Sequence, residues 1–150
     1  MRSAALAVFI GLAAASLAEA KTHSRFRVHT EANASNGPVF STQLKFLGRT
    51  ITVEKVPALS ENDVTRFQSY RAADGTYGAL FHLNDHGRLA LDSLSVERRG
   101  RLLFVFINGR PITDLQVDRR VSDGKIYIAS GLTANDIALL EKDWPPKARK

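Results

Sequence analysis

His82, Asp85 and His86 stand within one short stretch and are the residues whose types come closest to a catalytic or metal-binding set. Two imidazoles and a carboxylate at a strand end and in the turn after it are the right donors for a divalent cation. Their spacing argues the other way. Imidazoles four apart share one side only on a helix, whereas Asn84-Asp85-His86-Gly87 reads as a turn, and no further His or acidic cluster lies nearby in the sequence. His23 and His29 stand apart in the N-terminal segment. A serine hydrolase would carry a G-x-S-x-G elbow, which is absent; Ser130-Gly131 lacks its flanking residues. Without any cysteine, the chain has no disulfide framework, thiolate metal site, cysteine nucleophile or lipid-modified cysteine. Paired carboxylates, a glycine-rich phosphate loop and a dinucleotide fingerprint are also missing. The expectation is a protein that is not an enzyme and uses no cofactor, with a hydrolase or metal enzyme ranked last.

Charge offers a second kind of chemistry. Arg98, Arg99, Arg101, Arg110, Arg119 and Arg120 flank the most apolar segment of the chain and form a candidate patch for phosphate or another polyanion. The plainer reading makes them solvated ends of strands and of a helix. Aromatic residues do not alternate with them as on a single-strand nucleic-acid surface, so nucleic acid is not an expected partner. The formal net charge of +6 speaks to solubility and to anionic partners rather than to fold.

The elements that would position these groups centre on Leu102-Leu103-Phe104-Val105-Phe106-Ile107. Six apolar residues, closed by Asn108-Gly109, are too few for a helix and read as a strand buried on both faces, with Phe104 and Phe106 on one side and Val105 and Ile107 on the other. Asn-Gly favours a type I′ turn, so residues 110–117 should return as the antiparallel partner. Upstream, residues 25–31 alternate with Phe26 and Val28 inward, residues 32–38 form a loop, and residues 39–46 form a strand expected to pair with the first. Residues 50–56 give a third strand with Ile51 and Val53 on one face. Ser60-Glu61-Asn62-Asp63 has the capping-box pattern and predicts a short helix carrying Val64 and Phe67, which yields to a strand near residues 68–72.

Ala73-Asp74-Gly75 then turns the chain into a strand at 76–83, with Tyr77, Ala79, Phe81 and Leu83 on one face and His82 on the other. A helix over 88–99 places Leu91, Leu94 and Ser95 inward and ends at Gly100. Residues 125–130 alternate as a strand through Ile126 and Ile128. Thr133 and Asp136 cap a last helix with Ile137 and Leu140 inward, and Trp144-Pro145-Pro146 stops it.

Ordinary globular composition, 44% hydrophobic and 24% charged over 150 residues, supports one domain. Residues 1–20 read as a secretory signal peptide: Arg2 is the positive start, residues 4–17 are small and apolar, and Ala18-Glu19-Ala20 fits the cleavage pattern. The expected division is therefore a leader at 1–20 and one domain at 21–150. No other segment approaches the length that spans a bilayer, so the expected location is periplasmic or secreted, with no membrane span after leader removal.

From Leu80 onward the order of elements resembles the head subdomain of the first periplasmic domain of SecD, the protein-export subunit also found fused as SecDF. The residues that carry it are the strand Leu80-Phe81-His82-Leu83, the Asn84-to-Gly87 segment, the helix to Gly100, the strand 102–107 with Asn108-Gly109, and the pair Val117 and Val121. They continue through Gly124, Ile126, Ile128 and Gly131 to Leu132-Thr133-Ala134-Asn135-Asp136-Ile137; Val56-Pro57-Ala58-Leu59-Ser60 resembles the entry to that subdomain. Asp114 and Leu115 depart from the family, which tends to have Ala-Pro there. The resemblance spans about residues 55–141. It implies an α+β fold with a largely antiparallel sheet and two or three helices packed on one face. It also implies a non-enzymatic domain that contacts unfolded polypeptide or an envelope protein, or assists protein export. A basic protein that binds polyanions or the cell envelope is the alternative, and the oligomeric state stays open.

Overall fold

The structure, a computed structural model, describes residues 23–146. The chain runs β1 (Phe26–Thr30), a 3-10 turn, the single-turn α1 (Gly37–Phe40), β2 (Ser41–Phe46), β3 (Arg49–Glu54), β4 (Leu59–Ser60), a second 3-10 turn (Glu61–Asp63) and β5 (Val64–Arg71). It continues with β6 (Tyr77–Leu83), α2 (Asp85–Glu97), β7 (Leu102–Ile107), β8 (Arg110–Gln116), β9 (Lys125–Leu132) and α3 (Ala134–Asp143). Every strand pairing is antiparallel, in a four-stranded sheet β4-β1-β7-β8, a two-stranded sheet β2-β3 and a three-stranded sheet β5-β6-β9. The fold is α+β, as the family resemblance implies.

β7 divides two apolar clusters. Because side chains alternate along a strand, Leu103, Val105 and Ile107 point into the larger one, with Phe26 and Val28 of β1, Phe67 of β5, Phe81 of β6 and Ile126 and Ile128 of β9. Both longer helices bury their apolar residues there, Leu91 from α2 and Ile137 and Leu140 from α3. Phe104 points the opposite way, against Phe46, Ile51 and Val53 of the β2-β3 hairpin. The Asn108-Gly109 turn adopts φ values of 51° and 81°, the positive pair a type I′ turn demands.

Four expectations need correction. β2 pairs with β3, not with β1, because β1 lies between β4 and β7 and both of its edges are taken. Residues 39 and 40 belong to α1, where Pro38 opens a helical turn, and the strand starts only at Ser41. The capping box of Ser60 and Asp63 forms, yet it caps one 3-10 turn instead of a helix. A β-bulge between Val64 and Arg66 lets two residues three apart, Val64 and Phe67, both face inward, which imitates helical spacing. Lastly, Asn84 is no turn residue. Its Oδ1 accepts the Gly87 N–H at 2.8 Å as an N-cap, so α2 begins at Asp85. Gly87 fits this first turn because a Cβ there would lie 2.8 Å from the Cβ of Asp63.

Candidate functional site

Among the described residues, the outer face of β5-β6-β9 carries no helix-borne cluster, since α2 and α3 bury their apolar residues on the inner side with Phe67, Phe81 and Ile128. Register fixes what this face presents. Arg66 on β5 pairs with His82 on β6, which pairs with Lys125 on β9, and two residues along, Gln68 pairs with Leu80 and Leu80 with Tyr127. A basic row thus runs beside a row of amide, aliphatic and aromatic side chains. Tyr70 completes the surface. It leans across Gly78, where a Cβ would meet its ring at 2.1 Å, and its hydroxyl donates to the carbonyl oxygen of Ile128. Its ring stacks on Tyr127 with centroids 5.5 Å apart and planes 8° from parallel. Burial, and then the Tyr127 hydroxyl, push the Tyr70 phenol well above the usual tyrosine range. Tyr127, 56% exposed, offers the outer surface of the pair to solvent.

β5 is an edge strand, with β6 as its strand neighbour on one side only. Over the outer face and free edge of this strand runs a groove of about 550 Å³, lined by Arg66, Gln68, Tyr70, Leu80, Tyr127 and, from the end of α3, Glu141. α3 is held against the strand by the Trp144 indole N–H donating to the Val64 carbonyl at 3.2 Å and by Ser69 donating to Glu141 at 3.3 Å.

The sequence-derived candidates are distributed differently. His82 lies in the basic row, with an Arg66 Nη2 at 3.1 Å from its Nε2. Burial first, then the Arg66 and Lys125 charges, depress its pKa below the ordinary histidine range. His86 instead sits on α2, with Nδ1 2.7 Å from Asp63, and Asp85 faces Arg88. Among the described residues, no group of three or more His, Asp or Glu side chains is placed to hold a metal ion. Of the six arginines, Arg98 pairs with Glu54, Arg110 with Asp136 and Arg120 with Asp92, while Arg101 donates to Asn33. Arg98, Arg99 and Arg101 share the end of the molecule where Gly100 bonds Val117, near Arg119; Arg110 lies at the far end of the β7-β8 hairpin. Arg66, Tyr70 and Tyr127 escaped sequence reasoning. The signal existed as the alternation Arg66, Gln68, Tyr70, but it is concealed when residues 64–67 are taken as a helix.

No protein-family profile matches the chain, and no curated protein does. Solved structures that share its fold include the two that follow. Both are SecDF. The first, "Crystal structure of SecDF in Super-membrane-facing form", superposes at TM-score 0.57 with 13% identity over 81% of this chain and 19% of that one. The second, "Structure and function of a membrane component SecDF that enhances protein export", gives TM-score 0.58 and 14% identity over 83% of this chain and 64% of that one. This chain therefore spans less than two thirds of either SecDF chain, and what it shares with them is the fold. That fold is SecD-periplasmic-head-like, the architecture the family resemblance implies. No helix among the described residues is long and apolar enough to cross a membrane.

Proposed function

We propose that this chain is a non-enzymatic binding domain, exported to the periplasm or beyond, that holds extended polypeptide along the β5 edge. The groove beside an unpaired strand is the observation that carries this reading. An edge strand presents a row of N–H and C=O groups with no strand partner, and an extended chain satisfies them while satisfying its own. Backbone pairing sets where such a segment lies, and side chains beside the edge set which segments it prefers. Leu80 and the stacked tyrosines add an apolar shelf where an incoming side chain loses water contact. The SecDF fold supports the same direction, since one of those structures is described as a component that enhances protein export.

The test is fluorescence anisotropy of a labelled, reduced and carboxymethylated polypeptide titrated with the purified domain. Tyr127→Ala should weaken binding at least about fivefold, the size expected for an aromatic contact, with the melting temperature unchanged. Absence of binding at millimolar protein, or full affinity in Tyr127→Ala, would overturn the assignment. Export is checked separately by the mature N-terminus, which should be Lys21.

A further inference from the structure

We propose that the β5 edge selects polypeptide segments in which an acidic residue stands two positions from an apolar or aromatic one. The inference rests on the polypeptide-binding reading above and names what that site prefers. Sheet register supplies it. A strand added beside β5 continues each cross-strand row by one residue, so one of its side chains extends the row Lys125-His82-Arg66 and another, two positions away, extends Tyr127-Leu80-Gln68.

The first row lacks an anion. Arg27, Arg49, Arg98, Arg110 and Arg120 each hold a carboxylate, whereas among the described residues neither Arg66 nor Lys125 has one within 4.0 Å. The Arg66 guanidinium lies instead against the His82 ring, at 3.1 and 3.3 Å from its nitrogens, and among the described residues Arg66 Nε is buried with no hydrogen-bond partner. A buried donor without an acceptor is costly, and a carboxylate brought in at the edge of the row would face the guanidinium that carries it. The second row offers no charge. Its Gln68, Leu80 and Tyr127 suit an apolar or aromatic neighbour, which would pack on the same shelf.

His82 reports occupancy. The charged groups around it are Arg66 from β5, Lys125 from β9 and Asp123 from the loop before β9; burial first, and then the two cations, lower the pKa of the imidazole, while Asp123 raises it. An added carboxylate offsets those cations and favours the imidazolium, so binding draws a proton onto His82 and tightens as pH falls through the histidine range.

Three labelled peptides test this: an extended Thr/Val-rich sequence with Glu two positions from Phe, the same with Gln for Glu, and the same with Lys. At low salt the Glu peptide should bind about tenfold more tightly than the Gln peptide, as a charge-assisted contact requires, and the Lys peptide most weakly. Arg66→Gln should abolish the difference and Arg66→Lys should restore part of it. The His82 ring resonances should titrate at higher pH in the presence of the Glu peptide. Equal affinity for the Glu and Gln peptides overturns the acidic preference and leaves polypeptide binding standing; failure of all three peptides to bind overturns both.

Discussion

Phe104→Ala removes a side chain that is 1% exposed and that fills the smaller cluster, edge-on to Phe46 at 6.0 Å between centroids. Phenylalanine truncation in a core costs about 3–5 kcal/mol, of which the aromatic pair supplies roughly 1. The cover on this face is a two-stranded hairpin, free to settle into the gap, so the lower end of that range, about 3 kcal/mol, is expected. Against a total of about 5–15 kcal/mol this is a large fraction, and for a domain of this size it lowers the melting temperature by about 6–12 °C. Phe106→Ala should cost less, about 1–2 kcal/mol, because Phe106 is only partly buried and lies at the margin of the cluster against His29. Arg110→Ala should cost about 1 kcal/mol or below: it frees one side of Asp136, whose carboxylate still accepts from Thr133. Urea denaturation followed by circular dichroism measures all three. A Phe104→Ala cost under about 1 kcal/mol, or a Phe106→Ala cost exceeding it, would refute the two-cluster description.

Gly78→Ala should displace the Tyr70 ring, destabilise by about 1–3 kcal/mol and bring the Tyr70 phenol back toward ordinary tyrosine behaviour, read as the alkaline absorbance change near 295 nm. Gly109→Val should destabilise the β7-β8 hairpin by about 1–2 kcal/mol in the same urea assay, since a β-branched residue resists the φ of 81° found there. Asp143 accepts the Ser24 N–H at 2.6 Å, and this bond first, then His23, holds its carboxyl below the usual aspartate range. A depressed acid pKa contributes stability that is present above the unfolded value and lost as pH falls through the folded one. Asp143→Asn should therefore cost about 1 kcal/mol at neutral pH and nothing once the pH is low enough to protonate the native carboxyl.

Local chemistry made much of this fold legible. Asn108-Gly109, the Thr133-Asp136 capping box and the Ala73-Asp74-Gly75 turn each satisfy their own backbone geometry within a few residues, and each stands where the sequence places it. What stayed hidden depends on distant partners. Nothing local says that β1 inserts between β4 and β7 and leaves β2 to pair with β3. The bulge at Val64 and Arg66 is a compromise between two strands, and it turned a strand's inward residues into a helical pattern. With that strand misassigned, Arg66, Gln68 and Tyr70 could not be placed on one face, so the candidate site escaped while the framework around it did not. His86 shows the same limit, because its partner Asp63 lies across a hairpin.

The division of the core by β7 has a kinetic consequence. Residues 41–54 form one continuous hairpin whose buried contacts with the rest are Phe46, Ile51 and Val53 against Phe104, while the larger cluster draws on β1, β5 to β7, β9, α2 and α3. A contiguous segment held by few buried side chains opens as a unit at a free energy below that of global unfolding. Amide protons of β2 and β3 should exchange through such partial opening, and those of β6 and β7 only through complete unfolding. Each opening uncovers Phe104 on an otherwise native body, so a substitution that loosens only the hairpin should speed aggregation without lowering the stability of the larger core.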